Sequence, residues 1–355
     1  MAKIYYDPPR RPPMGSADHG GRLSAGLPDV ADFSASTGPA GIPRAARAAL
    51  RDISWASEYP DISATRLVGA LAAHAGVPAR CVVPGNGASE LIHAYFRLAV
   101  PGRRVLIPAP TFSEYERAAR LAGCRPSFFG TMHLGDDLDA FSARLPRGGC
   151  AVVCNPNNPT GALLRRRQVS RLISAAASRS CALLVDECFV ELADPAESVA
   201  RSAPRRRNLA VLRSLTKSFC LAGVRLGYVV APAPLARVLR EAAVPWNTSG
   251  AAQAAGIAAL GDEGYLEAAR AMVRRESAYL RRGISGIAGL ECLPSDANFM
   301  LVRARDPRRL RRALLERGVL VRGCAGFRGL AGCIRISVRT RRENRLLLRA
   351  LGEAA

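Results

Sequence analysis

The chain has 355 residues, of which 49% are hydrophobic, and it carries a formal charge of +22 at pH 7. Its length suffices for a large core and suggests two structural units. No run of about 18 uncharged apolar residues occurs, so a membrane-spanning helix is not expected, and the start lacks the apolar segment of a signal peptide. We therefore expect a cytoplasmic protein without a membrane partner.

The positive charge is spread along the chain, with short arginine clusters at 165–167 and 205–207. Aromatic residues make up only 6% of the chain, so this distribution favours solvated helix faces over a nucleic-acid-binding surface, although a net positive field would attract anionic substrates. The ten cysteines stand as singles and the four histidines lie far apart. This pattern predicts reduced thiols, no disulfide framework and no metal site.

Residues 1–44 are interpreted as an N-terminal arm that packs with a smaller C-terminal domain. The arm contains His19-Gly20-Gly21, where backbone amides beside the glycines could approach an anion. On local evidence alone, a plain loop explains this short motif better. The segment Asp32-Phe33-Ser34-Ala35-Ser36-Thr37-Gly38-Pro39 follows, and a helical pattern starts near Ile42.

Residues 45–262 alternate strand-like and helix-like patterns, which predicts the α/β class with a mainly parallel sheet flanked by helices. The predicted strands are 81–83, 104–108, 150–154, 182–185, 209–212 and 225–230, and the predicted helices are 64–75, 91–98, 111–122, 165–177, 235–243 and 250–260. The first strand leads through Asn86-Gly87-Ala88 into a helix. Such a turn presents unpaired amides and the positive end of the helix dipole to a phosphate, although many helices begin in a similar way.

Two of these strands end beside chemically useful side chains. Asp186 follows a hydrophobic strand, at the edge where functional groups collect in parallel sheets. Lys217 follows the next strand, and among 51 basic residues only Lys217 and Lys3 are lysines. Arginine cannot act as an amine nucleophile, so the retained lysine favours a Schiff base to a carbonyl cofactor. Chance retention explains the count equally well, and only the neighbouring motifs argue against it.

Residues 263–355 are predicted to form the smaller α+β domain. A long helix over 264–282 precedes strand-like segments at 298–303, 319–322 and 333–338. Two further helices carry start signals, since Asp306 precedes a proline and Thr340 stands three residues before a glutamate.

Five motifs occur in one order: the turn Gly85-Asn86-Gly87-Ala88-Ser89, the loop Asn155-Pro156-Asn157-Asn158-Pro159-Thr160-Gly161, Asp186, Lys217, and Arg225 in Gly-x-Arg-x-Gly-Tyr. The ordered set resembles the fold-type I pyridoxal-phosphate enzymes, in the branch of histidinol-phosphate aminotransferase and threonine-phosphate decarboxylase. The resemblance extends from His19 to about Leu351. It implies the fold-type I transferase fold with a sheet of the seven-stranded type, a pyridoxal 5'-phosphate cofactor and a homodimer.

The resemblance also implies individual roles. Lys217 would bind the cofactor and transfer protons, Asp186 would pair with the pyridine nitrogen, Asn158 would hydrogen-bond the phenolic oxygen, and Phe112 would stack on the ring. The cofactor phosphate would be held by Asn86, Gly87, Ala88, Ser214, Ser218 or Thr216, Arg225, and Tyr59 of the neighbouring subunit. A phosphorylated amino-acid substrate would be bound by His19, Gly20, Gly21, Arg322 near its phosphate, and Arg335 on its α-carboxylate.

The reaction is the harder question, because small changes in substrate orientation separate decarboxylation from transamination in these enzymes. Several segments resemble the decarboxylase: His19-Gly20-Gly21, the Arg-Ser-Leu-Thr-Lys run from Arg213, Val244-Pro245-Trp246-Asn247, and Phe189, where the aminotransferase typically has a tyrosine. One segment departs from it, since Ser36, Thr37 and Gly38 replace Asn-Ile-Asn and remove two amides from the substrate end.

We therefore expect decarboxylation of threonine phosphate to aminopropanol phosphate, for the side arm of cobalamin. The alternatives are a histidinol-phosphate-type aminotransferase and a decarboxylase of a related phospho-amino acid such as serine phosphate. A pyridoxal-phosphate-binding regulator is disfavoured, because the 18 residues before His19 are too few for a DNA-binding domain. Cys154, Cys188, Cys220 and Cys324 stand beside site motifs, and the pattern assigns them no role beyond packing.

Overall fold

The secondary structure alternates strands and helices over much of the chain. The structure is a computed structural model that describes residues 20–22 and 26–354. The α-helices of this part are α1 Arg44–Arg51, α2 Thr65–Ala75, α3 Ala88–Ala99, α4 Glu114–Leu121, α5 Leu138–Ala143, α6 Arg166–Ala177, α7 Leu215–Ser218, α8 Ala233–Glu241, α9 Gly250–Leu260, α10 Tyr265–Ser285, α11 Pro307–Glu316 and α12 Arg341–Ala354. The strands are β1 Ala31–Asp32, β2 Val82–Asn86, β3 Arg104–Ala109, β4 Arg125–Gly130, β5 Cys150–Cys154, β6 Ala182–Asp186, β7 Leu209–Ser214, β8 Leu226–Val230, β9 Leu290–Cys292, β10 Phe299–Ala304, β11 Val319–Leu320, β12 Arg322–Gly323 and β13 Cys333–Ser337.

The main sheet has seven strands in the order β2-β8-β7-β6-β5-β3-β4. Strands β7, β6, β5, β3 and β4 run parallel to one another, whereas β8 is antiparallel to both of its neighbours. Every residue of β5 is buried, because helices cover both faces of a parallel sheet and a central strand must then be apolar throughout. The predicted α/β class with a mainly parallel, seven-stranded sheet is confirmed.

A second sheet, of order β12-β13-β10-β9, is antiparallel. Its core joins Met300 and Ile334 of the strands to Leu347 of α12 and to Phe33 of the N-terminal segment. The N-terminal segment also pairs with this unit through β1, which runs parallel to β11. The smaller α+β domain is thus confirmed, whereas its predicted boundaries at residues 44 and 262 stay predictions.

Five elements were not predicted from the sequence: β1, β4, α5, α7 and β9. Strand β4 reads Arg-Pro-Ser-Phe-Phe-Gly and lies at the edge of the main sheet. An edge strand tolerates a proline, which counts against a strand when the sequence is read alone. The predicted helix start at residue 111, where Thr111 and Glu114 have the spacing of a capping box, is also wrong. Helix α4 begins only at Glu114, and the Thr111 hydroxyl instead donates to Oδ1 of Asn157 at 2.7 Å.

The other two predicted helix starts are confirmed. Oδ1 of Asp306 accepts the amides of Arg308 and Arg309 at the start of α11. At the start of α12, the hydroxyl of Thr340 and the carboxylate of Glu343 bond each other and each other's backbone amides. Local signals therefore located these helix starts well, except at Thr111, whose side chain bonds Asn157 instead of the helix.

Candidate active site

A cavity of about 540 Å³ opens where β6 and β7 end, between the main sheet and the smaller domain. The parallel strands β3, β5, β6 and β7 all present their carboxyl ends at this edge, which is where α/β sheets place ligand-binding groups. The lining brings together most of the predicted site residues: Gly20, Ala88, Phe112, Asn158, Asp186, Ser214, Thr216, Lys217, Arg225, Arg322 and Arg335. Residues more than 300 positions apart in the sequence therefore meet in one cavity.

Lys217 lies in α7, a single helical turn that follows β7 directly. Ser214 begins the turn, and its hydroxyl accepts the amide of Thr216 at 3.2 Å. The lysine amine lies 5.8 Å from the centre of the Phe189 ring. Burial, followed by the positive charge of Arg335, lowers the pKa of Lys217 below its ordinary value. A larger fraction of this amine is therefore neutral, and hence nucleophilic, than for a lysine in water.

Asp186 ends β6 with its carboxylate buried and fixed by two donors. Oδ1 accepts the amide of Cys188 at 2.9 Å, and Oδ2 accepts the hydroxyl of Tyr115 at 2.6 Å. Burial and the charge of Asp186 raise the pKa of Tyr115 well above its ordinary value, which keeps the phenol protonated as a donor. Sequence reasoning missed Tyr115. The available signal was its place three residues after Phe112, whose ring it meets edge-on at 5.6 Å.

The amino end of α3 forms a small cradle with Arg225. Gly87 has a φ of +80°, and a Cβ there would overlap the guanidinium of Arg225. A Cβ on Gly227 would stand 2.7 Å from the amide nitrogen of Ala88. Both glycines are therefore needed for close approach of backbone and arginine, and the free amides of α3 with this guanidinium suit a phosphate.

The hydroxyls near this cradle are not equivalent. Ser214 Oγ and Thr216 Oγ1 lie 2.6 Å apart and both residues line the cavity. Ser218 is fully buried, and its hydroxyl donates to the carbonyl of Ser214 at 3.2 Å, away from the lining. Asn86 is exposed and also lies outside the lining, with its amide bonded to Oε2 of Glu90. Of the two predicted alternatives, Thr216 is the one that faces the cavity.

Arg335 of β13 enters the cavity from the smaller domain and is only 6% exposed. Its Nη1 donates to Oδ1 of Asn158 at 2.5 Å, and its Nη2 donates to the carbonyl of Ser34 at 2.8 Å. Its Nε is buried and has no hydrogen-bond partner among the described residues. Burial and the nearby charge of Arg322 lower the pKa of Arg335 to about 10, so the group is still charged at neutral pH. A buried cation with an unsatisfied donor suits an anionic ligand such as a carboxylate.

The remaining predicted substrate residues lie around Arg335. Gly20 lines the cavity, and a Cβ there would overlap the carbonyl of Ser34, while the amide of Gly21 donates to Oγ of Ser34 at 2.7 Å. The Arg322 guanidinium lies 5.8 Å from the centre of the Phe327 ring. His19 lies outside the described residues.

The segment that departs from the decarboxylase pattern is fixed by backbone contacts. Asn298 donates to the carbonyls of Ser36 and Thr37 at 3.2 and 3.1 Å, and Ser36 lines the cavity. The amide of Gly38 donates to the carbonyl of Lys217 at 3.0 Å. The segment thus reaches both the substrate end of the cavity and the backbone of the lysine.

Tyr59 is 82% exposed and lies outside the cavity of its own chain, with its ring centre 4.7 Å from that of Trp246 and the two rings tilted by 31°. The predicted role of Tyr59 in a neighbouring subunit is not tested by a single chain. Of the four cysteines beside site motifs, Cys154 and Cys188 line the cavity. Burial raises the pKa of both thiols, so they are small protonated groups rather than thiolates.

Within residues 20–22 and 26–354, no group of three or more histidine, cysteine, aspartate or glutamate side chains is placed to hold a metal ion. The same residues contain no helix both long and apolar enough to cross a bilayer.

Comparison with known proteins identifies the class. The sequence profile of the family Aminotransferase class I and II matches residues 28–351. The chain belongs to this family, and its cofactor is pyridoxal 5'-phosphate. A solved histidinol-phosphate aminotransferase from Sinorhizobium meliloti, in complex with pyridoxal-5'-phosphate, superposes with a TM-score of 0.82 at 25% identity and covers 94% of this chain and 92% of that chain. The predicted fold-type I fold is confirmed.

Two relatives represent the two branch activities. The histidinol-phosphate aminotransferase of an Anaeromyxobacter species is 37% identical over 303 residues, which are 83% of this chain and 82% of that protein. The threonine-phosphate decarboxylase of Salmonella typhimurium is 33% identical over 349 residues, which are 94% of this chain and 95% of that protein. These identities place the chain in the branch but do not separate a carboxy-lyase from an aminotransferase.

The cavity residues fit pyridoxal 5'-phosphate. Lys217 offers an amine with a lowered pKa, Asp186 offers a carboxylate that two donors hold in place, and the cradle around Gly87 admits only a glycine beside Arg225. Phe112 and Asn158 line the space between these groups. The donor set therefore provides an anion-binding end, an amine and a carboxylate, as the chemistry of this cofactor requires.

Proposed function

We propose that this protein decarboxylates L-threonine O-3-phosphate to (R)-1-amino-2-propanol O-2-phosphate and carbon dioxide, for cobalamin biosynthesis. Phe189 carries the proposal, because its ring lies 5.8 Å from the Lys217 amine and packs edge-on against Phe299 at 5.0 Å. A phenylalanine offers no hydroxyl to a group bound at the lysine. The aminotransferases that the chain resembles typically place a tyrosine at this position.

Different residues of the cavity would perform different parts of the reaction. Pyridoxal 5'-phosphate, when bound, supplies an electron sink for the electron pair left on the α-carbon as a bond to that carbon breaks. Asp186 would hold the proton of the ring nitrogen, and Phe112 would cover the ring. The phosphate would bind at the amide of Ala88, which begins α3, and at Arg225, where the helix dipole and the guanidinium both favour an anion, whereas the amide of Gly87 already donates to the carbonyl of Gly85.

The substrate would be oriented by Arg335 and Arg322. Arg335 has a buried Nε without a partner among the described residues, so a substrate carboxylate would complete its hydrogen bonding. The bond from the α-carbon to this carboxylate breaks, the carboxyl carbon leaves as carbon dioxide, and Lys217 in its protonated form returns a proton to the α-carbon. Arg322 and the amide of Gly20 would bind the substrate phosphate, whereas the amide of Gly21 already donates to Ser34.

A histidinol-phosphate-type aminotransferase is the second candidate, because the relatives with this activity reach 37% identity. Serine phosphate is an alternative substrate for the decarboxylase, since Ser36 and Gly38 carry no amide side chain at the substrate end. Neither alternative changes the proposed roles of Lys217 and Asp186.

Product analysis separates these reactions. Purified protein loaded with the cofactor is incubated with threonine phosphate, serine phosphate or histidinol phosphate, each with and without 2-oxoglutarate, and amines are measured by mass spectrometry. We expect aminopropanol phosphate from threonine phosphate without the keto acid. Ethanolamine phosphate from serine phosphate would indicate a changed specificity, and turnover that depends on 2-oxoglutarate would overturn the decarboxylase.

We further propose a homodimer in which Tyr59 reaches the phosphate site of the partner. Two neighbouring loops expose the apolar side chains of Ile53 (70%), Tyr59 (82%), Val244 (70%) and Trp246 (43%), and exposed apolar clusters of this kind mark interaction surfaces. Sedimentation should give twice the mass of one chain, and Tyr59→Phe should weaken cofactor retention without dissociating the dimer. A monomer with full activity would contradict this proposal.

A further inference from the structure

A cluster of buried charges lies behind the cavity, on the opposite face of the main sheet. Nη1 of Arg213 donates to Oε2 of Glu187 at 2.9 Å, and its Nη2 donates to Oε1 of Glu191 at 2.7 Å. Oε1 of Glu191 also lies 2.5 Å from Nε2 of His74. The side chains of Arg213, Glu187 and Glu191 are 7%, 0% and 8% exposed. Three charged groups thus occupy a place where apolar packing would be usual.

The stability of the fold does not explain this cluster well. Removing charges from water is costly, and replacing a buried ion pair by packed neutral side chains is often neutral or stabilising. The neighbouring residues show that apolar packing was available here, since Val185 and Val211 belong to the core on this face. The position of the cluster relative to the cavity offers a more specific explanation.

Two partners in the cluster are adjacent in sequence to a cavity residue, and the third, Glu191, lies two positions after Phe189 of the lining. Glu187 follows Asp186, and Glu191 belongs to the same short segment. Arg213 precedes Ser214 and stands four residues before Lys217. Alternate residues of a strand point to opposite faces, so Asp186 and Ser214 face the cavity while Glu187 and Arg213 lie directly behind them.

The guanidinium therefore bridges the two segments that carry Asp186 and Lys217. We infer that Arg213 is a positioning residue, which fixes the separation of these two side chains by binding the carboxylates of Glu187 and Glu191 at once. A backbone bond from the amide of Glu187 to the carbonyl of Leu212, at 2.8 Å, joins the same segments. The inference rests on the proposed roles of Asp186 and Lys217 at the cofactor.

The shape of the guanidinium matters to this role. A planar fork with separate nitrogens reaches two carboxylates in different directions, whereas a lysine ammonium is a single point charge on a flexible stem. Ser198 completes the arrangement, because its hydroxyl lies 2.9 Å from Nη1 of Arg213 and 2.5 Å from Oε2 of Glu187. Arg213→Lys should thus keep the charge of the cluster while losing the simultaneous contact.

The test measures cofactor binding separately from stability. In the holoenzyme with Arg213→Lys, we expect cofactor loss on dialysis to be faster by about tenfold, which corresponds to ~1.4 kcal/mol. The pH at which the absorbance of the bound cofactor changes should shift, and kcat should fall more than KM rises. Arg237→Met is the matched control, because Arg237 forms an ion pair with Glu241 in which both side chains are about 70% exposed.

A compensated variant distinguishes positioning from a structural role. In Arg213→Met/Glu187→Gln/Glu191→Gln no uncompensated charge is left buried, so the thermal midpoint should return toward that of the wild type. Cofactor loss and the shifted absorbance should persist. Recovery of both stability and cofactor retention would overturn the inference.

If the triple variant does not fold, Arg213→Lys still tests the inference. The cofactor that Arg213→Lys loses is divided by the amount of folded protein, so unfolding does not count as loss. Wild-type retention and an unshifted absorbance in Arg213→Lys would likewise overturn the inference. These readouts do not depend on the substrate, so transamination instead of decarboxylation would overturn the proposed function and leave them unchanged.

Discussion

The two ends of the cavity are built in different ways. At the cofactor end, Asp186 and Ser214 end adjacent parallel strands and Lys217 lies in the turn that follows the second, so all three fall within 31 positions in the sequence. At the substrate end, Arg335 binds the carbonyl of Ser34, which is 301 positions away. The cofactor end is formed by one continuous run of strands and turns, whereas the substrate end forms only when segments that are distant in the sequence pack together. The two ends touch where Arg335 donates to Asn158 and where the amide of Gly38 donates to the carbonyl of Lys217, so changes elsewhere at the substrate end should alter substrate preference without disturbing the groups that hold the cofactor.

The largest effect is expected from removing the amine of Lys217 at the cofactor end. Lys217→Ala should abolish the absorbance of the covalently bound cofactor and lower turnover by at least about 1,000-fold, since proton-transfer groups typically contribute 10²–10⁴-fold. Lys217→Arg is the matched control, because it keeps the charge but supplies no amine nucleophile. An unchanged spectrum in either variant would show that the lysine does not hold the cofactor.

The next largest effect is expected from a change at the substrate end that leaves the cofactor bound. Arg335→Gln removes a buried charge proposed to bind the substrate carboxylate, so kcat/KM should fall by about 30-fold or more, as expected for a loss of about 2 kcal/mol. Retention of the cofactor should be unchanged, because Lys217, Asp186 and Arg225 stay in place, but the pH at which its absorbance changes should rise, because the charge of Arg335 lowers the pKa of Lys217. Arg335→Lys should recover part of the activity. Loss of the cofactor from Arg335→Gln would show that the two ends are not separable.

The smallest effect concerns Asp32, which organises the backbone of the substrate end. Burial alone would raise the pKa of Asp32, but hydrogen bonds from the Ser34 hydroxyl and from the amides of Arg22, Ser34 and Ala35 outweigh burial and lower it. A carboxylate with a depressed pKa in the folded state stabilises the fold above its unfolded pKa, and this contribution is lost as the pH falls through the folded value.

Asp32→Asn should therefore raise KM by about fivefold, the size of one weakened hydrogen bond, and leave cofactor retention unchanged. Acidification below about pH 3.9, where a free aspartate titrates, should lower the free energy of unfolding of both proteins, but less in Asp32→Asn than in the wild type. Equal acid sensitivity of the two proteins, measured by denaturant unfolding, would show that this carboxylate does not support the loop.

The sequence predicted the cofactor end more fully than the substrate end, for the same physical reason. Strands β5 and β6 are continuous apolar runs that end at polar side chains, so their place in a buried sheet can be inferred locally. Tyr115 was missed because its bond to Asp186 joins residues 71 positions apart. Spacing alone cannot show such a pairing.

Other predictions were wrong because the same local sequence signal is compatible with two structures. Thr111 and Glu114 have the spacing of a capping box, yet Thr111 turns toward Asn157 instead. Proline in β4 counted against a strand that lies at a sheet edge, where proline is tolerated. The Arg213 cluster was invisible in a chain with 51 basic residues, because an arginine within a cluster cannot be told from a surface arginine until its burial is known.

The near absence of lysine has a practical consequence for covalent labelling. Within residues 20–22 and 26–354, Lys217 is the sole lysine, and arginine carries the rest of the positive charge. Acylating reagents and lysine-directed crosslinkers consequently find one side-chain target in this part of the chain, and trypsin cleaves it almost entirely after arginine. Under the proposed role, the bound cofactor shields this amine, so the yield of a labelled Lys217 peptide reports the fraction of molecules that lack the cofactor.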